Sequence, residues 1–179
     1  AVADAMESCL RGSGIRVEAK VASELSGFCL VDDLRDTFVI PITQSGTTTD
    51  TNRAVAMAAE RGAGVIAVVN RRQSDITTKA DGVFYTSDGR DIEMAVASTK
   101  AFYSQIVAGH VLALDLARLL STLPEERIVD ELRRLERAPE LMGKVLAQRE
   151  EIRSAVEKLA KRKRYWAVVG SGPNRAAAE

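Results

Sequence analysis

The stretch FVIPITQSGTTTDTNRAVAMAAERGAGVIAVV, residues 38–69, decides the fold. It opens on an apolar run, 37–42, that reads as a strand. It closes on a second run, Val65 to Val69, that is apolar at every position rather than at alternate ones. Continuous runs of this kind belong to parallel sheets covered on both faces. Between them, 49–61 carries Ala54, Val55, Ala58 and Ala59 on one helical face, and Gly62-Ala63-Gly64 ends the helix as glycine does at helix C-termini. Strand, helix and strand alternate here, the pattern of a doubly wound parallel sheet.

The same alternation extends outward. Val2, Ala5, Met6, Cys9 and Leu10 recur at helical spacing, and the sequence starts inside that helix without a Met, which reads as a piece of a longer polypeptide. Gly12-Ser13-Gly14 is a turn, and Ile15 to Ala19 alternates like a strand. A short helix is expected over 21–25 and another over 74–79, with a strand over 82–85 and a turn at Ser87-Asp88-Gly89. A long apolar helix is expected over 98–120. Pro124 restarts a helix, and Pro139 starts a further one running to about 163. Tyr165 to Val169 is again an apolar strand, followed by Gly170-Ser171-Gly172 and a helix start. The fold class expected is α/β, a doubly wound parallel sheet flanked by helices (flavodoxin-like or Rossmann-like), with a helical C-terminal extension.

Composition excludes several function classes. The 25 basic and 25 acidic residues cancel, so no net charge draws the chain to nucleic acid or to an anionic membrane. Aromatic residues are 4%, too few for a base-stacking surface. No apolar run approaches the roughly 20 residues of a membrane span. The two cysteines, Cys9 and Cys29, form no CxxC or Cys/His cluster, so neither a metal site nor a disulfide framework is indicated and a cytoplasmic setting is the default.

Ligands of doubly wound sheets sit at the carboxyl ends of strands, in loops leading into helices. ITQSGTTTDT, residues 42–51, lies at such a junction, and seven of its ten residues carry a hydroxyl or amide side chain. A helix N-terminus exposes unpaired N–H groups and the positive end of the dipole. Gly46 allows a tight bend, and Thr43, Ser45, Thr47 and Thr48 add hydroxyls, which makes a neutral cradle for a phosphate. The Lys of GxxxxGK[ST] is absent, and so is GxGxxG. A phosphate on a small molecule therefore fits better than a nucleotide. Simple capping by Thr48 or Thr49, with Asp50 in the first turn, explains one or two of these residues but not five small polar side chains in a row.

Three stretches carry a resemblance. ASEL at 22–25, ITQSGTTTDT at 42–51 and EMAVASTKAF at 93–102 resemble segments of the sugar isomerase (SIS) domain family, and within it the isomerase half of glutamine–fructose-6-phosphate transaminases. The likeness covers about residues 1–120. It implies that Thr43, Gln44, Ser45, Gly46 and Thr48 hold a sugar phosphate and that Val96, Ala97 and Ser98 line the sugar. Thr43 stands for the family's usual Ser, Thr47 for a common Glu, and Lys100 matches a position whose role looks structural. The resemblance places the family's first strand and its Cys-Gly-Thr-Ser loop before Ala1. It places the ring-opening His, the isomerising Glu and the Schiff-base Lys in a second SIS domain and tail. The implied organisation is a SIS domain over 1–122, a helical linker over 123–164 and the start of a second SIS domain over 165–179. The end departs from the family's usual loop at that place.

Other residues have plainer readings. His110 sits among leucines and reads as a packed, hydrogen-bonded core histidine rather than a base. Glu24 and Glu93 are carboxylates with no indicated acid/base partner. KLAKRKR, 158–164, ends a long helix, where cations favour the dipole, and reads as a solvated face. The expectation is a hexose-phosphate-binding domain with no catalytic residue, metal or cofactor of its own. It is expected to pair with a second copy through the apolar 98–120 helix, without nucleic acid or membrane partners. The alternatives are a non-catalytic SIS module that senses an amino-sugar phosphate, and a structural dimerisation domain.

Overall fold

The computed structural model describes residues 1–88, 100–160 and 163–171, with Asn174 and Ala178. Its centre is the strand β3 (Gly64–Val69). The strands β1 (Phe38–Val39) and β2 (Ile42–Thr43) both pair with it in parallel, Phe38 opposite Gly64 and Ile42 opposite Val68. The offset is the same in both pairs, so β1 and β2 are one line of chain interrupted at Ile40-Pro41. Pro41 has no N–H to give to the ladder, yet its carbonyl still accepts from Val68 N at 2.9 Å. The single strand expected over 37–42 is thus split by its own proline. On the other side of β3, β4 (Gly82–Tyr85) pairs in parallel over four residues, Ile66 to Val69 with Gly82 to Tyr85.

Helices cover both faces, as the unbroken apolar pattern of β3 demands. Val65, Ala67 and Val69 pack with Val55 of α3 (Thr49–Ala59) and with Ile76 of a 3-10 turn (Asp75–Thr78). Ile66 faces α4 (Lys100–Leu119) in a groove lined also by Val111 and Leu114. Beyond α4 lies a second cluster. Met6, Cys9 and Leu10, from α1 (Val2–Cys9) and its C-terminus, meet Ala113, Leu114 and Ala117, and Ile128 of α5 (Glu125–Glu136) completes it. A parallel sheet with helices on both faces, followed by a helical C-terminal region, is the architecture expected. α3 ends where expected, with Gly62 at φ 91° and Ala63 N bonded to Ala58 O at 3.1 Å. Ala59 is exposed rather than on the inner face, and Asn52 takes a place there instead.

Several expectations fail for identifiable reasons. Residues 15–19 form no strand: Ile15 is 50% exposed, and Arg16 and Lys20 both pair with Glu18, while no ladder partner lies alongside among the described residues. Alternation marks two sides of a chain but does not supply a neighbour. The short helix at 22–24, α2, runs on as a wide turn over Leu25–Cys29. The helix expected from Pro139 to about 163 breaks at Gln148, where ψ is 8°, giving α6 (Ala138–Ala147) and α7 (Arg149–Ala160). Neither buries a residue, so no tertiary packing enforces continuity. Tyr165 to Val169 is not a strand either, and Tyr165 and Val169 are 87% and 89% exposed. The first residues of the 98–120 helix, the end of the Pro139 helix, Gly89 of the expected turn and Gly172 lie outside or at the border of the described residues.

Candidate functional site

The carboxyl ends of β2, β3 and β4 lie side by side, because Thr43 is opposite Val69 and Val69 is opposite Tyr85. Three loops leave from them: 43–48, 70–74 and 86–88. The first enters α3, with Thr48 as its N-cap residue in extended conformation and Asp50 in the first turn. Thr48 makes no side-chain capping bond and is exposed. Its hydroxyl is therefore not spent on holding the helix.

The loop is held from behind through its carbonyls. Gln44 O accepts from Asn70 N at 3.3 Å and from Arg71 N at 3.1 Å. Gly46 O accepts from Ile76 N at 3.1 Å and from Asn52 Nδ2 at 3.0 Å. Thr48 O accepts from Asn52 N at 3.0 Å and from Asn52 Nδ2 at 3.1 Å. Three alternate carbonyls thus point into the protein, while the N–H groups of Gly46 and Thr47 donate within the loop to Thr43 Oγ1 at 3.2 Å and Ser45 Oγ at 3.4 Å. Gly46 has φ 67°, and a Cβ there would collide with Ser74 Oγ and lie 2.8 Å from Ser74 Cβ and 2.9 Å from Ile76 Cγ2. The loop can press this closely on the 74–76 turn only with glycine at this point.

The hydroxyls divide by role. Thr43 is 7% exposed, and its Oγ1 accepts from Gly46 N at 3.2 Å, which closes the turn while leaving the hydroxyl proton to be donated. Ser45 Oγ accepts from the Thr47 hydroxyl at 3.0 Å. Ser45 and Gln44 are half-buried, and Thr47 and Thr48 are exposed. In the neighbouring loops, buried Asn70 accepts at Oδ1 from the hydroxyls of Thr86, at 3.2 Å, and Ser87, at 2.7 Å. Arg72 stacks over the Tyr85 ring at 4.3 Å and donates from Nε to Asp88 O at 3.3 Å. Among the described residues the 43–48 loop itself carries only uncharged side chains, with the Arg72 guanidinium in the neighbouring loop.

Of the sequence-derived candidates, Thr43, Gln44, Ser45, Gly46 and Thr48 come together in this loop. Val96, Ala97, Ser98 and Glu93 lie outside the described residues. Glu24 is exposed on α2. His110 is half-buried on α4, with no hydrogen-bond partner among the described residues, so the expected bond is not formed there. Sequence reasoning missed Asn52, Asn70, Ser74 and Lys79. Asn52 had a visible signal: it lies three residues before Val55 on the face that α3 buries, a polar residue in an apolar stripe. Among the described residues no group of three or more His, Cys, Asp or Glu could hold a metal ion, and no helix is long and apolar enough to cross a membrane.

Comparison with known proteins places this geometry among relatives. The model of the SIS domain family matches residues 10–115. The glutamine–fructose-6-phosphate aminotransferase (isomerizing) of Mycolicibacterium smegmatis is 40% identical over 144 residues, 80% of this chain and 22% of that protein. The protein of the same name from Thermococcus kodakarensis is 41% identical over 146 residues, 80% of this chain and 23% of that one. This chain therefore spans less than a quarter of the length of these relatives. Among solved structures, the C-terminal domain of glucosamine-fructose-6-phosphate aminotransferase from Francisella tularensis superposes with a TM-score of 0.76 at 26% identity, over 89% of this chain and 44% of that one. A solved structure from Clostridium difficile, 15% identical with a TM-score of 0.71, covers 88% of this chain and 45% of that one and shares the fold.

Proposed function

The chain belongs to the SIS domain family, and on that premise we propose that its loop from Thr43 to Thr48 holds the phosphate of a hexose phosphate. The observation that carries the reading is the loop itself. Its carbonyls at 44, 46 and 48 are tied back into the protein, its Thr48 hydroxyl is not used for capping, and it opens onto the N-terminus of α3. A phosphate there meets the positive end of the α3 dipole and neutral donors from Ser45, Thr48 and the backbone. Gln44 sits at the inner end of the loop, where its carboxamide orients the bound group.

The similarity to glutamine–fructose-6-phosphate aminotransferases supports fructose 6-phosphate as the ligand, with Val96, Ala97 and Ser98 along the sugar. In this reading the domain over 1–122 binds and orients the phosphosugar for a larger protein that transfers glutamine-derived ammonia and isomerises ketose to aldose. The helices α5, α6 and α7 lead toward a second SIS domain beginning at 165. The domain pairs with a second copy through the apolar face of α4, on which Phe102, Tyr103 and Val107 are exposed. The described residues contribute binding and orientation. Ring opening and proton transfer need a positioned acid/base group, which in this reading the larger protein supplies.

Calorimetric titration with fructose 6-phosphate, fructose and inorganic phosphate tests the reading. Heat of binding with fructose 6-phosphate and none with fructose is expected. Equal response to fructose, or none to fructose 6-phosphate, refutes it.

A further inference from the structure

The carboxamide of Asn52 bridges two loop carbonyls, Gly46 O at 3.0 Å and Thr48 O at 3.1 Å, while its Oδ1 accepts from Lys79 Nζ at 2.9 Å. Asn52 is 7% exposed, and these three bonds occupy both of its amide hydrogens and its oxygen. We propose that Asn52 and Lys79 form a positioning pair for the phosphate loop: Asn52 holds its carbonyls away from the anion, and Lys79 holds Asn52 in the one orientation that can do so. This rests on the phosphate reading of the loop given above.

The physical argument is about alternatives. A buried carboxamide can flip, exchanging its oxygen and nitrogen. Flipped, Oδ1 of Asn52 would face two carbonyl oxygens, acceptor against acceptor, and the loop would be pushed outward. Lys79 has donors only, so it accepts no partner but the oxygen end and fixes the choice. The pair joins α3 to the segment following the 3-10 turn, elements that also meet where Ile76 N bonds to Gly46 O. The loop is thereby fastened by Asn52 at two of its three inward carbonyls, Gly46 O and Thr48 O. The ammonium also adds a positive charge behind the helix N-terminus.

The test uses three variants of the full chain. Lys79→Met removes the donor and keeps the stem, Lys79→Arg restores a donor, and Asn52→Asp keeps the shape but removes the amide hydrogens. Hydrogen exchange at the Gly46, Asn52 and Ile76 amides reports loop fastening, and exchange across β3 reports global stability. Affinity is read by titration with fructose 6-phosphate. Expected are at least fivefold faster exchange at the three loop amides and at least fivefold weaker affinity in Lys79→Met. Larger effects are expected in Asn52→Asp, near-normal values in Lys79→Arg, and β3 exchange unchanged in all. Wild-type exchange and affinity in Lys79→Met overturn the proposal, as does β3 exchange that rises in step with the loop. Should the unaltered chain not bind fructose 6-phosphate, the phosphate reading falls, and the loop exchange rates alone decide whether the pair positions the loop.

Discussion

Replacing Gly46 with alanine is the sharpest perturbation of the loop. Gly46 has φ 67°, a left-handed conformation that costs an L-residue about 1–2 kcal/mol. The new methyl also has no room. It would overlap Ser74 Oγ, lie 2.8 Å from Ser74 Cβ and lie 2.9 Å from Ile76 Cγ2. Ser74 and Ile76 are buried, and Ser74 Oγ is tied to Arg71 O at 3.0 Å, so neither neighbour gives way freely. Overpacking of this kind costs about 1–3 kcal/mol. Strain and collision together give roughly 2–5 kcal/mol. The chain would answer by lifting the loop off the 74–76 turn, which breaks the bond from Ile76 N to Gly46 O. Urea unfolding followed by circular dichroism measures the loss as a lower midpoint at unchanged slope. A Gly46→Ala chain within 1 kcal/mol of the parent would show that the loop does not press on that turn, and the geometry argued for the site would be wrong.

Thr48→Val should weaken fructose 6-phosphate binding by about 1.5–3 kcal/mol, the worth of a hydrogen bond to a charged group, while leaving the unfolding midpoint nearly unchanged, because Thr48 makes no capping bond; calorimetry and urea unfolding read the two effects separately. Cys29 is exposed and Cys9 buried, with burial and the nearby Glu131 charge pushing the Cys9 thiol above its ordinary value. Thiol labelling near neutral pH should therefore modify Cys29 promptly and Cys9 only on unfolding, and equal rates would contradict the α1–α4 packing. The same upward shift gives Cys9 a stabilising contribution that is complete below the ordinary thiol range and declines as pH rises through it, because the unfolded chain ionises first; replacing Cys9 with alanine should flatten the alkaline limb of the stability profile. Light scattering should give a dimer, and a monomer at every concentration would remove the role assigned to the exposed α4 side chains.

The parts legible in the sequence are those set by local pattern. Val65 to Val69 declared a two-sided buried strand by its unbroken apolar run, and Gly46 among hydroxyls declared the turn into a helix. What was not legible depends on partners. Ile15 to Ala19 and Tyr165 to Val169 have strand-like composition, but a strand exists only where a neighbour meets its N–H and C=O groups. Pro41 interrupts a ladder through one missing N–H, an effect of register that periodicity does not carry. The break at Gln148 reflects α6 and α7 burying nothing. Asn52 and Lys79 stand 27 positions apart, and only the fold brings the ammonium to the carboxamide. The bonds from Gln44 O to Asn70 and Arg71 likewise belong to the pairing of β2 with β3, not to the loop.

A crystal structure of the chain soaked with fructose 6-phosphate tests the central claim most directly. The account expects the phosphate at the N-terminus of α3, its oxygens within hydrogen-bond distance of Ser45 and the Thr48 hydroxyl, with the carbonyls of Gln44, Gly46 and Thr48 still turned inward. A sugar phosphate bound elsewhere, with the 43–48 loop unoccupied at saturating ligand, would contradict it.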